Sequence, residues 1–177
     1  MWLNVMHTLQ CCVNYQSNDM IPTDFLLEYY ERTNRSTQWE GFNQAFASEI
    51  STGLPSEEIC KLFFRIGSRM AKTLPVARCD TLDELQAAFN ARLQAIGWGF
   101  SSLHVEGEYL YISHACSPLA ISFGPASGPE WTSSFFEGVY QTWFESQGVT
   151  AGLHVCAEAM SEPSPSQILL KFGKAWS

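Results

Sequence analysis

Two short segments of the sequence each place a histidine and a cysteine two residues apart. His114 and Cys116 flank an alanine, and His154 and Cys156 flank a valine. Residues two apart on a β-strand face the same side, so two neighbouring strands of this kind could surround a tetrahedral zinc ion with two imidazoles and two thiolates. Each histidine could also act as the base for a cysteine nucleophile. The alternative is that all four are ordinary, half-buried strand residues.

The rest of the sequence favours this structural interpretation. A single residue between two ligands differs from the usual spacing of structural zinc sites, and no orienting group or oxyanion donor for a thiol enzyme can be identified. The sequence also lacks a phosphate-binding glycine loop, a nucleophile elbow and a zinc-finger motif. We therefore expect a protein that is not an enzyme, with no catalytic residue, no metal and no cofactor. A small metal- or thiol-dependent hydrolase is the alternative.

A different chemistry is indicated by residues 29–39, where aromatic side chains alternate with polar ones. Glucan chains present flat apolar C–H faces and rows of hydroxyls, which suit aromatic rings beside hydrogen-bonding groups. A polar linker that ends in a core-facing tryptophan is the simpler interpretation of the composition alone. The candidate glucan-binding residues are Tyr29, Tyr30, Arg32, Gln38 and Trp39.

Composition and charge exclude several classes of protein. With 46% hydrophobic residues among 177, the chain should fold as a globular protein. Its net charge of −8 disfavours a nucleic-acid partner, and four basic residues at helical spacing between positions 61 and 72 follow two glutamates, as is typical of a solvated helix face. No apolar run approaches the ~20 residues of a membrane-spanning helix. Without a recognisable signal peptide, we expect a cytoplasmic protein whose six cysteines are mostly free.

The first half of the sequence predicts three helices. Four apolar residues spaced three or four apart indicate a first helix with one buried stripe: Trp39, Phe42, Phe46 and Ile50. A second amphipathic helix runs from Ser56 to about Thr73. In the third, Thr81 and Glu84 form a capping box and Gly97 supplies the C-terminal cap.

The second half predicts strands and one further helix. Residues 100–105 and 109–115 are rich in aromatic and β-branched side chains and flank a short Glu-Gly turn, which indicates a hairpin. A helix follows and ends at Gly148, and residues 153–158 and 167–172 are two more strand candidates. The predicted fold is α+β: N-terminal helices, then an antiparallel sheet of about four strands with one long aromatic helix inserted.

The chain is short enough to be one domain with an additional N-terminal segment. Residues 1–38 are predicted to be a loosely ordered arm, and residues 39–177 a single α+β domain that forms oligomers.

The inserted helix carries more aromatic surface than one stripe requires. We expect one small sheet to leave part of this surface uncovered, and we predict that the remainder joins subunits together. Glu137 and Glu145, on the same helix, are expected to be solvated. The predicted interface residues are Phe135, Phe136, Val139, Tyr140, Trp143 and Phe144.

Two segments resemble the D subunit of bacterial cellulose synthase. One is the capped helix that runs into Ile96-Gly97-Trp98-Gly99, and the other is Phe136-Glu137-Gly138-Val139-Tyr140-Gln141-Thr142-Trp143, which is followed by Ser146-Gln147-Gly148. Ile-Gly-Trp-Gly and Glu-Gly-x-Tyr are short motifs, but they occur in the order and at the distance typical of that family. The resemblance covers roughly residues 39–158 and, more faintly, the last strand.

The resemblance implies a non-catalytic accessory protein of cellulose synthesis. In such proteins an octamer, arranged as a tetramer of dimers, forms a ring whose passages accommodate separate β-1,4-glucan chains, and N-terminal segments line those passages. The implied partners are further copies of this chain, glucan chains and other cellulose synthase subunits. A protein-binding scaffold of the synthase complex is the alternative. The missing signal peptide favours the cytoplasm, near the inner membrane, whereas a guide for emerging glucan would also make sense in the periplasm, which is the alternative.

Overall fold

The computed structural model describes residues 37–123, 129–149, 151–159 and 167–174. Tyr29, Tyr30, Arg32 and almost all of the predicted N-terminal arm lie outside the described residues. The helices and strands in chain order are α1 (Thr37–Gly53), α2 (Ser56–Thr73), α3 (Leu82–Ala95), β1 (Phe100–Glu106), β2 (Tyr109–Ala115), α4 (Leu119–Phe123), α5 (Pro129–Ser146), β3 (Leu153–Ala157) and β4 (Gln167–Lys174). None of the described helices is long and apolar enough to cross a membrane.

The four strands form one antiparallel sheet in the order β1-β2-β4-β3. The β1–β2 hairpin pairs Phe100 with Ala115 and Glu106 with Tyr109. The last strand lies between β2 and β3, where Leu170 pairs with Ile112 on one side and with Ala157 on the other. The α+β prediction, with helices first and a long helix inserted between strands, is confirmed.

The third helix begins and ends as its sequence predicts. Thr81 Oγ1 accepts a hydrogen bond from the Glu84 amide at 3.2 Å, and the Glu84 carboxylate accepts one from the Thr81 amide at 3.3 Å. After the helix, Gly97 and Gly99 have φ angles of +69° and +80°. A side chain at Gly99 would collide with the backbone carbonyl of Ala115 on β2. The second glycine of the Ile-Gly-Trp-Gly motif therefore lets the chain enter β1 in contact with β2.

Helices α2 and α5 touch each other through two glycines. A Cβ atom on Gly67 would lie 2.0 Å from the backbone oxygen of Phe135, and one on Gly138 would lie 2.0 Å from the backbone oxygen of Phe64. Ser68 Oγ also donates a hydrogen bond to the Gly138 oxygen at 3.3 Å. The two helix backbones are therefore in direct contact, and neither glycine can be replaced without moving a helix.

The aromatic side chains of α5 fill the core between this helix pair and the sheet. Phe89 of α3 stacks on Trp143 with ring centroids 4.9 Å apart, and Phe144 stacks on Phe172 of β4 at 4.2 Å. The Trp143 indole also donates a hydrogen bond to the Leu74 carbonyl at 3.0 Å. One helix thus contributes side chains to contacts with α2, α3 and the sheet.

This burial overturns the prediction of a subunit interface on α5. All six residues are at most 3% exposed in the single chain: Phe135, Phe136, Val139, Tyr140, Trp143 and Phe144. The wide aromatic surface needs no second subunit because helices pack on it from one side and the sheet from the other. Side chains without accessible surface can add almost nothing to a contact between folded copies.

The prediction of a buried stripe on α1 is also wrong for its first half. Trp39 is 57% exposed and Phe42 62% exposed, and only further along the helix is Ala47 fully buried. The reason is that α1 packs mainly against the short helix α4, which is too short to cover the first turns.

Candidate functional site

The structure separates the two histidine–cysteine pairs. Strand β4 lies between β2 and β3, and His114 pairs with Ile168 of β4 whereas His154 pairs with Gly173. The histidines are thus five residues apart along the sheet, which is about 17 Å along the strands. An odd separation also puts them on opposite faces. The zinc hypothesis fails on this geometry, and the described residues contain no group of three or more His, Cys, Asp or Glu side chains that could hold a metal ion.

His114 belongs to the core. Its Nδ1 lies 2.7 Å from the Tyr140 hydroxyl, its ring centroid lies 3.8 Å from that of Phe136, and its buried Nε2 has no hydrogen-bond partner among the described residues. Burial lowers the pKa of His114 to about 3, against a smaller opposing effect of the Trp98 backbone. Burial also raises the pKa of Tyr140, partly offset by a hydrogen bond with Ser101. Both groups are neutral near pH 7 and form an uncharged polar contact.

Side chains from two helices cover the outer edges of the sheet. On β1, the amides of Ser101 and Leu103 donate to Asn90 Oδ1 at 2.6 Å and to Gln86 Oε1 at 2.7 Å. Asn90 also donates to the Ser101 carbonyl at 2.8 Å. Because edge strands are the usual template for strand addition, these bonds protect β1 from pairing with another chain.

The opposite edge is covered in the same way by α5. The amides of Val155 and Ala157 on β3 donate to Gln141 Oε1 at 2.9 Å and to Glu137 Oε1 at 2.7 Å. Glu137 is therefore not the solvated carboxylate that the sequence predicted. Its partial burial raises its pKa, and the hydrogen bond from Ala157 opposes that change.

Each residue of the Glu-Gly-x-Tyr motif therefore has an identifiable structural task. Glu137 covers the edge of β3, Gly138 permits contact with α2, and Tyr140 pairs with His114. The motif was visible in the sequence, but its partners lie on β2, β3 and α2. No local pattern could have revealed them.

Of the five predicted glucan-binding residues, Gln38 and Trp39 lie within the described chain, and both are exposed at the start of α1. Trp39 continues into a row of rings on the same helix. Its ring centroid is 5.8 Å from that of Phe42, which stacks on Phe46 at 6.4 Å with an interplanar angle of 11°. We call these three residues, Trp39, Phe42 and Phe46, the aromatic ridge.

The ridge is anchored in the core at one end and open at the other. Phe46 is 37% exposed and contacts Phe123 of α4, whose ring in turn contacts buried Phe63 of α2. The ridge therefore projects from a packed base, with its most exposed rings at the end nearest the predicted arm. An exposed row of this kind is the type of surface that marks a binding site or an interface.

Comparison with known proteins gives a consistent result. The family model for the D subunit of cellulose synthase matches residues 25–172. Two proteins of Komagataeibacter xylinus are each named cellulose synthase operon protein D. The first is 34% identical over 64% of this chain and 74% of its own length, and the second is 32% identical over 69% of this chain and 79% of its own length. A protein of the same name from Komagataeibacter sucrofermentans is 31% identical over 69% of this chain and 79% of its own. The chain belongs to the family of the cellulose synthase D subunit.

Proposed function

We propose that this chain is a non-catalytic accessory subunit of bacterial cellulose synthase that guides and orders nascent β-1,4-glucan chains. Membership of the D-subunit family supports a role in cellulose synthesis alongside other synthase subunits. The guiding role depends on one observation, the exposed aromatic ridge of α1. The separation of the two histidine–cysteine pairs removes the argument for a zinc-dependent hydrolase.

The ridge has the chemistry that a glucan chain requires. Rings of Trp39 and Phe42 can stack against the apolar faces of glucose units, and exposed Gln38, one helical turn before Phe42, can exchange hydrogen bonds with hydroxyls. The net charge of −8 would repel an anionic polymer, but it does not repel a neutral polysaccharide. Stacking also tolerates sliding, as a guide for a growing chain must.

The proposed assembly is a ring-shaped homo-oligomer, an octamer built as a tetramer of dimers. Because the sheet edges and the aromatic face of α5 are occupied within each copy, association has to use other surfaces. Exposed apolar side chains occur at Leu54, at Ile66 on α2 and at Phe100 on β1, with 44%, 41% and 49% exposure. Light scattering of the purified chain tests this assembly: a mass of 19.9 kDa at micromolar concentration would contradict it.

The test of the glucan contact replaces the two most exposed rings of the ridge. The double variant Trp39→Ala/Phe42→Ala should bind cello-oligosaccharides at least about fivefold more weakly, since two ring contacts of ~0.5–1.5 kcal/mol each are lost. Val105→Ala, which removes an exposed apolar side chain on β1, is the control. Unchanged affinity of the double variant would refute the assignment. So would a variant that loses affinity only because it becomes monomeric, since the ridge would then be a subunit contact.

The same variants address the cellular role and the compartment. Cells that express the double variant should still make cellulose, with lower crystallinity by X-ray diffraction. If this protein is only a scaffold, removing residues 1–38 will leave cellulose ordering unchanged.

We place the protein in the cytoplasm near the inner membrane, and fractionation with a C-terminal tag distinguishes this from the periplasm.

A further inference from the structure

A groove beside the α2–α5 contact is a candidate second site for the ligand of the proposed function. It has a volume of about 480 Å³ and is lined by one side of α2 and by Ser134 and Glu137 of α5. Ligand pockets in proteins typically have volumes of roughly 300–1,000 Å³. The groove lies on a different surface from the aromatic ridge, since no ridge residue lines it.

The charged groups that line the groove disfavour an ionic ligand. Three carboxylates, of Glu57, Glu58 and Glu137, face two cations, of Lys61 and Arg65. Lys61 is already paired with Glu57 at 2.7 Å and with Glu58 at 3.1 Å. A phosphate or polyanion would meet excess negative charge, whereas a metal cation would meet Lys61 and Arg65. A neutral ligand that can both donate and accept hydrogen bonds fits best.

Two of these charged groups still have hydrogen-bonding capacity. Arg65 is exposed and forms no ion pair with any described residue, so its guanidinium can donate to a ligand. Glu137 uses Oε1 to accept from the Ala157 amide, and no described residue donates to its Oε2. The half-buried ring of Phe64 lies beside them in the groove. An aromatic face flanked by a guanidinium, a carboxylate and the Ser134 hydroxyl matches the apolar faces and hydroxyl groups of a sugar.

We infer that this groove binds a short length of β-1,4-glucan, as a contact separate from the ridge. The inference rests on the proposed function for the identity of the sugar. Phe64 supplies the stacking face, Arg65 and Ser134 donate to ring hydroxyls, and Glu137 accepts from one.

The experiment is a titration of the full chain with cellopentaose. Binding is monitored by NMR amide chemical shifts and measured by calorimetry. Shift changes should appear at Phe64, Arg65 and Ser134, and Arg65→Ala and Ser134→Ala should each weaken this binding about fivefold. Arg69→Ala, which removes an exposed arginine one turn further along α2 and outside the groove, should leave affinity unchanged. Maltopentaose, whose α-linkages curve the chain, should bind more weakly.

The outcomes separate this inference from the proposed function. If Arg65→Ala and Ser134→Ala bind cellopentaose as the parent chain does, the groove is not a glucan site, and the ridge can still be one. If the groove shifts persist in Trp39→Ala/Phe42→Ala, the groove acts independently of the ridge and the inference is supported. Equal affinity for maltopentaose and cellopentaose would overturn the assignment to β-1,4-glucan.

Discussion

Replacing Gly138 by alanine tests whether the direct contact between α2 and α5 determines the stability of this fold. The new methyl group would lie 2.0 Å from the Phe64 backbone oxygen and 3.0 Å from the Ser68 nitrogen. To restore an ordinary contact of 3.4 Å between the methyl group and this oxygen, one helix must move by about 1.4 Å (3.4 − 2.0). Neither neighbouring atom can swing away, because both belong to the backbone of a helix.

The loss of folding stability in Gly138→Ala depends on the contacts that change when α5 moves. Shifting α5 separates buried rings such as Trp143 and Phe144 from their partners, and interior contacts weaken steeply over such distances. Overpacking of a core typically costs about 1–3 kcal/mol, and the backbone clash places Gly138→Ala at the upper end. Alanine recovers about 0.5–1 kcal/mol through its better helix propensity. We expect a net loss of ~2 kcal/mol, which corresponds to a fall in Tm of about 4–8 °C for a chain of this size.

The assay is thermal unfolding followed by circular dichroism, repeated in guanidinium chloride. Gly41→Ala is the matched control, since it is also a helical glycine but has no atom within 4 Å of the added methyl, and its Tm should not fall. Gly67→Ala should behave like Gly138→Ala, and the double variant should lose less than the sum because one shift relieves both clashes. An unchanged Tm for both single variants would refute the account of the helix contact.

Two further predictions concern the core histidine and the covered sheet edge. The pKa of His114 falls from 6.5 to about 3 on folding, so the unfolded chain binds the proton more tightly than the folded chain. As the pH falls from about 6.5 to 3, this residue therefore lowers the free energy of unfolding by up to ~1.4 kcal/mol per pH unit. Denaturant unfolding of His114→Gln should show a weaker pH dependence than the parent chain, and equal slopes would contradict the assignment. Asn90→Ala should accelerate hydrogen exchange of the Ser101 amide, measured by NMR, while the Leu103 amide stays protected by Gln86. Unchanged exchange at Ser101 would show that Asn90 does not protect the edge.

Local patterns in the sequence were sufficient to locate most helices and strands. The capping box at Thr81 and Glu84 involves residues three apart, so it could be recognised without knowledge of the fold. The β1–β2 hairpin was visible for the same reason, because its strands flank a short turn. Interactions within one turn or one hairpin leave a periodic signal, and tertiary contacts do not.

The errors arose where burial depends on distant partners. The rings of α5 and those of α1 have similar spacing in the sequence, yet Phe136 is fully buried and Phe42 is 62% exposed. The difference is that α5 has helices on one side and the sheet on the other, whereas α1 has the short α4. The importance of Gly67 was likewise not visible, because a glycine in an amphipathic helix gives no indication of which backbone will contact it.

The residues that relate this chain to its family are largely those that build the monomer. Gly99 allows the entry into β1, Gly138 allows the helix contact, and Glu137 and Gln141 cover the edge of β3. Such residues are constrained by packing and hydrogen bonding whether or not a glucan is present, so their similarity identifies the fold and reveals little about ligand contacts. Surfaces outside these tasks, the aromatic ridge and the part of the groove formed by Phe64, Arg65 and Ser134, are where a glucan can be bound without loss of stability. It follows that substitutions on those surfaces should change cellulose ordering and leave Tm nearly unchanged. Substitutions in the shared motifs should instead lower Tm, and they should affect cellulose ordering only by reducing the amount of folded protein.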